Sequence, residues 1–164
     1  MIIIVMGVSG SGKTTVGQLL AKELQWIFRD ADEFHPPANI EKMSRGIPLT
    51  DADRAPWLEA MRSAIAGWLK EGTNAVLTCS CLKTAYRDTL LVDREQVRFV
   101  YLKGSYEVLE ARLSHRPHHF FKKDLLKSQF EILEEPQDAI AVEVSDPPQL
   151  IVQKIRKALN INPI

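Results

Sequence analysis

Residues Gly7-Val8-Ser9-Gly10-Ser11-Gly12-Lys13-Thr14 fit the pattern G-x-x-x-x-G-K-[ST] at every fixed position. The chemistry of that spacing is phosphate binding. Glycines let successive backbone N–H groups turn inward and form a concavity for anions. A helix beginning near Lys13 adds the positive end of its dipole. The Lys13 ammonium then reaches the β- and γ-phosphates of a nucleotide as a point charge, and the Thr14 hydroxyl suits Mg²⁺. The context fits as well: an apolar run at residues 2–6 comes directly before, and an amphipathic helical pattern directly after.

A second group of candidates follows the next apolar run. Asp30 and Asp32 share a strand face if the strand extends that far. In a phosphotransferase, one such carboxylate can hold a Mg²⁺-bound water while the other takes a proton or hydrogen bond from an acceptor hydroxyl. We assign Asp32 to the acceptor and Asp30 to the metal. The alternative is a pair of solvated turn carboxylates. His35 precedes Pro36, so it is either an extended loop residue or a donor to a hydroxylated substrate. The stretch Thr78-Cys79-Ser80-Cys81 lacks an aspartate, so the second metal carboxylate of many phosphate-loop enzymes is missing there and Asp30 is its substitute.

Cationic residues supply the third group. Lys83 and Arg87 stand four apart on one helical face with Tyr86 beside them, and Arg54 lies shortly before Pro56. If they converge, these three cations suit a small anionic substrate; singly, each reads as a solvated surface charge. Arg112, Arg116, His118, His119, Lys122 and Lys123 lie in or beside a stretch, 116–123, without clear period. As a mobile lid, it would bring cations over a nucleotide; otherwise it is a basic exposed loop. Adjacent histidines with no third ligand do not make a metal site.

These residues need elements to hold them. The continuous apolar run 2–6 is that of a parallel strand buried on both faces. Residues 13–24 read as a helix through Val16, Leu19, Leu20 and Leu24. Residues 26–29 read as a strand and 36–43 as a short helix. A longer helix starts from a cap at Asp51 or Asp53, tolerates Pro56 in its first turn, and stops at Gly72. Its inward stripe is Trp57, Met61, Ile65, Trp68 and Leu69. Strands at 75–79, 97–102 and 139–144 alternate with helices at 84–91, 106–113 and 125–133. Ser105 caps the second of these helices. Asp146 is the expected cap of a last helix opening with Pro147, with Ile151, Ile155 and Leu159 inward. Such alternation means a parallel sheet covered by helices on both faces, with ligands at the carboxyl ends of the strands.

Composition narrows the function classes. The 164 residues carry 21 basic and 21 acidic side chains, for a formal net charge of zero, so bulk charge offers nothing to nucleic acid or an acidic membrane. An apolar fraction of 45% and a charged fraction of 26% suit a folded domain rather than a disordered one. Eight glycines and nine prolines are scattered, so no linker divides the chain and one domain, 1–164, is expected. No apolar run approaches the ~18 residues of a membrane span, and the N-terminal run lacks the basic flank of a signal peptide. Cys79 and Cys81 read as small core residues sharing one strand face in a reducing compartment.

Five stretches together resemble the small gluconate kinases, relatives of shikimate kinase within the nucleoside-monophosphate-kinase-like group. They are MGVSGSGKTT at 6–15, DADEFHPPANIEKMSRGIPLTDADRAPWL at 30–58, CSCLKTAYRD at 79–88, YLKGSYEVLEARLSHRPHHFF at 101–121 and QFEILEEP at 129–136. The phosphate loop alone would indicate only a nucleotide; the second and third stretches are far more specific. The resemblance implies a phosphate-loop α/β fold, a three-layer αβα sandwich on a five-stranded parallel sheet, with a lid at about 114–124 and often a homodimer. It implies Mg²⁺- and ATP-dependent phosphorylation of D-gluconate at its 6-hydroxyl, in a cytoplasmic sugar-acid pathway feeding the pentose phosphate route. It places ATP on residues 7–15, ending at Thr15, with Arg112 and Arg116 near the nucleotide. It places the sugar acid near Asp32, His35, Arg54, Lys83 and Arg87.

Two positions depart from the family pattern, which has Ala at Cys81 and commonly Gly at His118. A small-for-small change at Cys81 should pack. A histidine at 118 stiffens a lid position that glycine leaves permissive. Competing readings are a kinase for shikimate, a nucleoside monophosphate or another polyol acid, and, from a different class, a nucleotide-dependent switch. The Asp-x-x-Gly element by which switches sense a γ-phosphate is missing after the third strand, which counts against the last.

Overall fold

The computed structural model describes residues 1–115 and 119–161. Its centre is β1 (Ile2–Met6), whose five side chains are all fully buried. Alternation sends Ile3 and Val5 to one side and Ile2, Ile4 and Met6 to the other, so one strand feeds two cores. β1 pairs with β3 (Ala75–Thr78) and β4 (Val97–Lys103); β2 (Ile27–Asp30) and β5 (Ile140–Glu143) take the edges. The order is β2-β3-β1-β4-β5 and every pairing is parallel.

Helices cover both faces. On the first, α1 (Lys13–Leu24) brings Val16, Leu20 and Leu24, and α5 (Tyr106–Ser114) brings Leu109 and Leu113. α6 (His119–Ile132) adds Leu126, and α7 (Pro148–Ala158) adds Ile151, Val152 and Ile155. On the second face, α3 (Asp51–Glu71) packs Trp57, Leu58, Met61 and Ile65, and α4 (Thr84–Leu90) packs Leu90. Each such side chain contributes about 1.5–3 kcal/mol by leaving water. The expected three-layer αβα sandwich on a five-stranded parallel sheet is therefore the fold. The short α2 (Pro37–Ser44) stands outside the two cores apart from the buried Asn39.

Several local expectations change. Thr50, not Asp51 or Asp53, caps α3: its hydroxyl accepts from the Asp53 amide at 3.1 Å, while the Asp53 carboxylate accepts from the Thr50 amide at 2.9 Å. Both residues are needed for this reciprocal box. Pro56 lies inside α3 rather than in its first turn, where it removes one donor from the ladder. Pro147 caps α7, and Asp146 instead holds Lys154 at 2.5 Å. The segment expected as a loop is helical from His119 on, because α6 begins six residues before the periodic apolar pattern. Cys79 and Cys81 are free and buried as expected. Their shared surroundings do not come from strand alternation, since β3 ends at Thr78 and Cys81 has φ 47°.

Gly17 ties the fold to the site. A Cβ there would lie 2.6 Å from Cγ2 of Thr78, the residue at the end of β3. A Cβ at Gly67, in α3, would meet nothing within 4 Å. Gly→Ala in a helix normally stabilises by up to about 1 kcal/mol, whereas overpacking costs about 1–3 kcal/mol. Thermal melts should therefore separate the two: Gly67→Ala raises the Tm, and Gly17→Ala lowers it by a few degrees.

Candidate active site

The phosphate loop joins β1 to α1. Gly10 (φ 80°) and Gly12 (φ 95°) occupy left-handed backbone that other residues rarely adopt. Gly12 caps α1 without a side chain, so the first amides of the helix are left for a ligand. The Lys13 ammonium folds back on the loop and donates to the carbonyls of Gly7 at 3.0 Å and Val8 at 3.1 Å. Burial lowers the Lys13 pKa, opposed by the nearby Cys79, Asp30, Asp32 and Cys81. The Ser11 hydroxyl is buried and finds no partner among the described residues. Thr14 and Thr15 are exposed in the first turn of α1.

Asp30 ends β2 next to β3. One carboxylate oxygen accepts from the Thr78 hydroxyl at 2.9 Å and the other from the Asp32 amide at 2.8 Å. Asp30 thereby caps a 3₁₀ turn, Ala31–Phe34, and aims the residues that follow. The carboxyl of Asp32 is pushed above the usual range, first by partial desolvation and then by the Asp30 carboxylate, against the pull of His35 and Lys13. His35 lies flat on Trp57, with ring centroids 4.5 Å apart and 8° between the planes. Trp57 is itself fixed by donating to the Ala31 carbonyl at 2.7 Å.

Asn39 decides which nitrogen of His35 carries the proton. Its amide nitrogen donates to the Asp53 carbonyl at 2.8 Å and also stands 3.2 Å from Nδ1 of His35. Nδ1 must therefore accept, which leaves the neutral ring's proton on Nε2. Burial lowers the His35 pKa, with Asp32 pulling up and Arg54 pushing down.

Arg54 and Lys83 converge on Tyr86. The guanidinium carbon lies 5.9 Å and the ammonium nitrogen 5.6 Å from the centre of the ring. Asp51 sits between them: its carboxylate accepts from the Tyr86 hydroxyl at 2.8 Å and lies 3.5 Å from Lys83 and 3.8 Å from Arg54. The tyrosine hydroxyl foremost, and the two cations after it, hold the Asp51 carboxyl below its usual range. Charge links Lys13 with Asp32, Asp32 with His35 and His35 with Arg54, and Arg54 and Lys83 meet at the Tyr86 ring.

Arg87 does not join this group. It is buried and donates to the carbonyls of Cys81 at 2.6 Å and Glu134 at 2.7 Å, and to the Thr84 hydroxyl at 3.1 Å. The helical spacing of Lys83 and Arg87 misleads because Lys83 is the extended cap of α4, not part of it. Arg112 reaches from α5 to the Val144 carbonyl past the end of β5. Arg116 and His118 lie outside the described residues.

Three contributors escape the reading of local patterns: Asn39, Asp51 and Gln129. Gln129, on α6, accepts from the Ser9 amide at 2.5 Å. Its only sequence signal is its place in the QFEILEEP stretch. The segment after α6 is strapped to the wall of the site: the Glu134 amide donates to the Leu82 carbonyl at 2.8 Å, and the Glu134 carboxylate accepts from the Thr84 amide at 2.9 Å.

Residues 9–160 match the shikimate kinase family. The chain is 43% identical over 160 residues to the thermosensitive gluconokinase of Escherichia coli (strain K12), covering 95% of this chain and 86% of that one. It is 46% identical over 156 residues to the gluconokinase of Gluconobacter oxydans (strain 621H), covering 93% and 88%. The crystal structure of a gluconokinase from Sinorhizobium meliloti 1021 superposes with a TM-score of 0.83 at 44% identity, covering 96% and 90%.

The electrostatics of Asp32 make a stability test. A carboxyl whose folded pKa is raised binds more protons in the folded state, so stability falls as pH rises from the unfolded pKa through the folded one. Asp32→Asn removes that cost. Its Tm should sit slightly above the parent's at about pH 7, with the gain fading below about pH 4. A variant that melts below the parent at neutral pH contradicts the reading of Asp32 as an electrostatically strained group.

Proposed function

Because this chain belongs to the shikimate kinase family and shares nearly its full length with gluconokinases, we propose that it transfers the γ-phosphoryl group of ATP to the 6-hydroxyl of D-gluconate, yielding 6-phospho-D-gluconate and ADP. One observation carries the reading: two cations, Arg54 and Lys83, meet at the Tyr86 ring, and charge couples Arg54 to His35, His35 to Asp32 and Asp32 to the phosphate-loop Lys13. A linear sugar acid has a carboxylate at one end and a phosphorylatable hydroxyl at the other. It needs cations at one end of its site and an acceptor group near the phosphates at the other.

In this reading Arg54 and Lys83 turn from the exposed Asp51 carboxylate to the substrate carboxylate, while Arg87 braces the wall that carries Lys83. His35 donates from Nε2 to a hydroxyl of the chain. Asp32, with its proton affinity raised, accepts the proton of the 6-hydroxyl as that oxygen bonds to the γ-phosphorus and the bond to the ADP oxygen breaks. Because phosphoryl transfer is loose, Asp32 chiefly orients the hydroxyl. Lys13, released from the Gly7 and Val8 carbonyls, meets charge moving toward the β–γ bridge. Loop residues Gly7 to Thr15 cradle the phosphates; the resemblance assigns Arg112 and Arg116 to the nucleotide.

The donors also fit Mg²⁺. Among the described residues no cluster of three or more His, Cys, Asp or Glu side chains could hold a metal ion; a nucleotide-bound Mg²⁺ takes most of its ligands from phosphates and water. The exposed Thr14 hydroxyl and the Asp30 carboxylate, acting through water, are the hard oxygen donors that would hold it. When bound, the ion neutralises phosphate charge. Among the described residues no helix is long and apolar enough to cross a membrane. The setting we propose is cytoplasmic sugar-acid catabolism feeding the pentose phosphate pathway.

An acceptor panel tests the reading. A buried charge-assisted hydrogen bond contributes roughly 1.5–3 kcal/mol, so removing the acceptor's carboxylate should lower kcat/KM by about 10- to 150-fold. ATP turnover should thus be fast with gluconate and poor with sorbitol or glucose. Equal kcat/KM for gluconate and sorbitol removes the carboxylate clamp, and turnover of shikimate or a nucleoside monophosphate without gluconate gives the chain another acceptor.

Two variants test the chemistry. Lys13→Ala should lower kcat by on the order of 10²-fold in a folded protein. Asp32→Asn should depress turnover far more than ATP binding; near-parental kcat for either variant cancels the role assigned to it.

A further inference from the structure

Gln129 fills one backbone donor of the loop whose sequence pattern suits phosphate. Its side-chain oxygen lies 2.5 Å from the Ser9 amide nitrogen, inside the G-x-x-x-x-G-K-T segment and 120 residues away in sequence. The contact is not a loose surface encounter. The turn of α6 that carries Gln129 is pinned by the fully buried Leu126, by Phe130 standing edge-on to Tyr106 at 5.6 Å, and by the Glu134 strap to Leu82, Thr84 and Arg87. A backbone amide has one hydrogen to donate, and at 2.5 Å a single oxygen fills that direction.

We propose that Gln129 sets the nucleotide affinity of the phosphate loop by standing in for a phosphate oxygen at the Ser9 amide. A phosphate that uses this donor must first displace the glutamine carbonyl. Gln129 is in this sense an affinity-determining residue, and α6 is the element that registers whether the loop is filled.

Opposite substitutions should have opposite signs. Gln129→Met keeps length and helix propensity but removes the acceptor. Freed of a neutral hydrogen bond, the loop should bind a non-hydrolysable ATP analogue with Mg²⁺ about 2- to 10-fold more tightly by calorimetry. Gln129→Glu offers a charged acceptor, which bonds the amide more strongly and repels phosphate. It should weaken the same analogue by about 10-fold or more. If the side chain only packs α6, both variants shift affinity in the same direction or neither shifts it. If it contacts the nucleotide directly, Gln129→Met weakens binding. Either result overturns the proposal. Gln129→Ala, checked by thermal melt, replaces Gln129→Met if that variant misfolds. The assay contains no acceptor, so its outcome is independent of whether gluconate is the substrate.

Discussion

A strand buried on both faces admits no polar residue and no change of register, and β1 is that strand. A slip of one residue would exchange Ile3 and Val5 with Ile2, Ile4 and Met6 and turn each core inside out. The register fixed by that constraint also fixes where the chain leaves the sheet. The phosphate loop begins at the residue after Met6, and the ends of β3 and β2 lie successively beside it. Most groups in the site are positioned from one of these strand ends or from a helix packed against them; Asn39, on α2 outside the two cores, is the exception.

The price of the site is electrostatic. Lys13 has its charge disfavoured by burial, Asp32 by partial desolvation and the Asp30 carboxylate, and His35 by burial and Arg54. Each would be more comfortable in water. They stay because the groups around them are satisfied elsewhere. Asp30 is tied to Thr78 and to the Asp32 amide, Trp57 to the Ala31 carbonyl, and Asn39 to the Asp53 carbonyl. Asp53 in turn closes the cap of α3, where the Thr50 amide and, after it, Lys42 at 2.9 Å hold its carboxyl down to about 2. A scaffold of paired groups thus holds a few titratable ones whose charged forms are disfavoured, a common arrangement at functional sites.

Arg87 and Glu134 illustrate how burial redirects a charged residue. A guanidinium sealed among carbonyls must meet them with its donors, and Arg87 does so with Cys81 and Glu134. It thereby welds the end of β3 to the segment beyond α6. Lys83, four residues earlier and partly exposed, keeps its ammonium at the tyrosine ring. Two cations of similar appearance in the sequence therefore part: Arg87 is sealed into the architecture and Lys83 stays at the surface.

What the sequence determined by itself is whatever is encoded over a few residues. The phosphate loop is eight residues long and its geometry is local, so spacing alone identified it. The buried run of β1 and the periodic helices α1 and α3 were legible for the same reason, and the alternation of elements led to the parallel sheet. Caps were less legible, because Thr50, Asp51 and Asp53 are all good cap residues and only the reciprocal bonds choose among them. Tertiary structure alone decided the rest: that Arg87 turns inward, that Asp51 lies between Arg54 and Lys83, that Asn39 fixes the proton of His35, and that Gln129 reaches Ser9. Each of these is a contact between side chains or backbone groups brought together by packing. No local period or propensity distinguishes an arginine, asparagine or glutamine that will find such a partner from one that will face water.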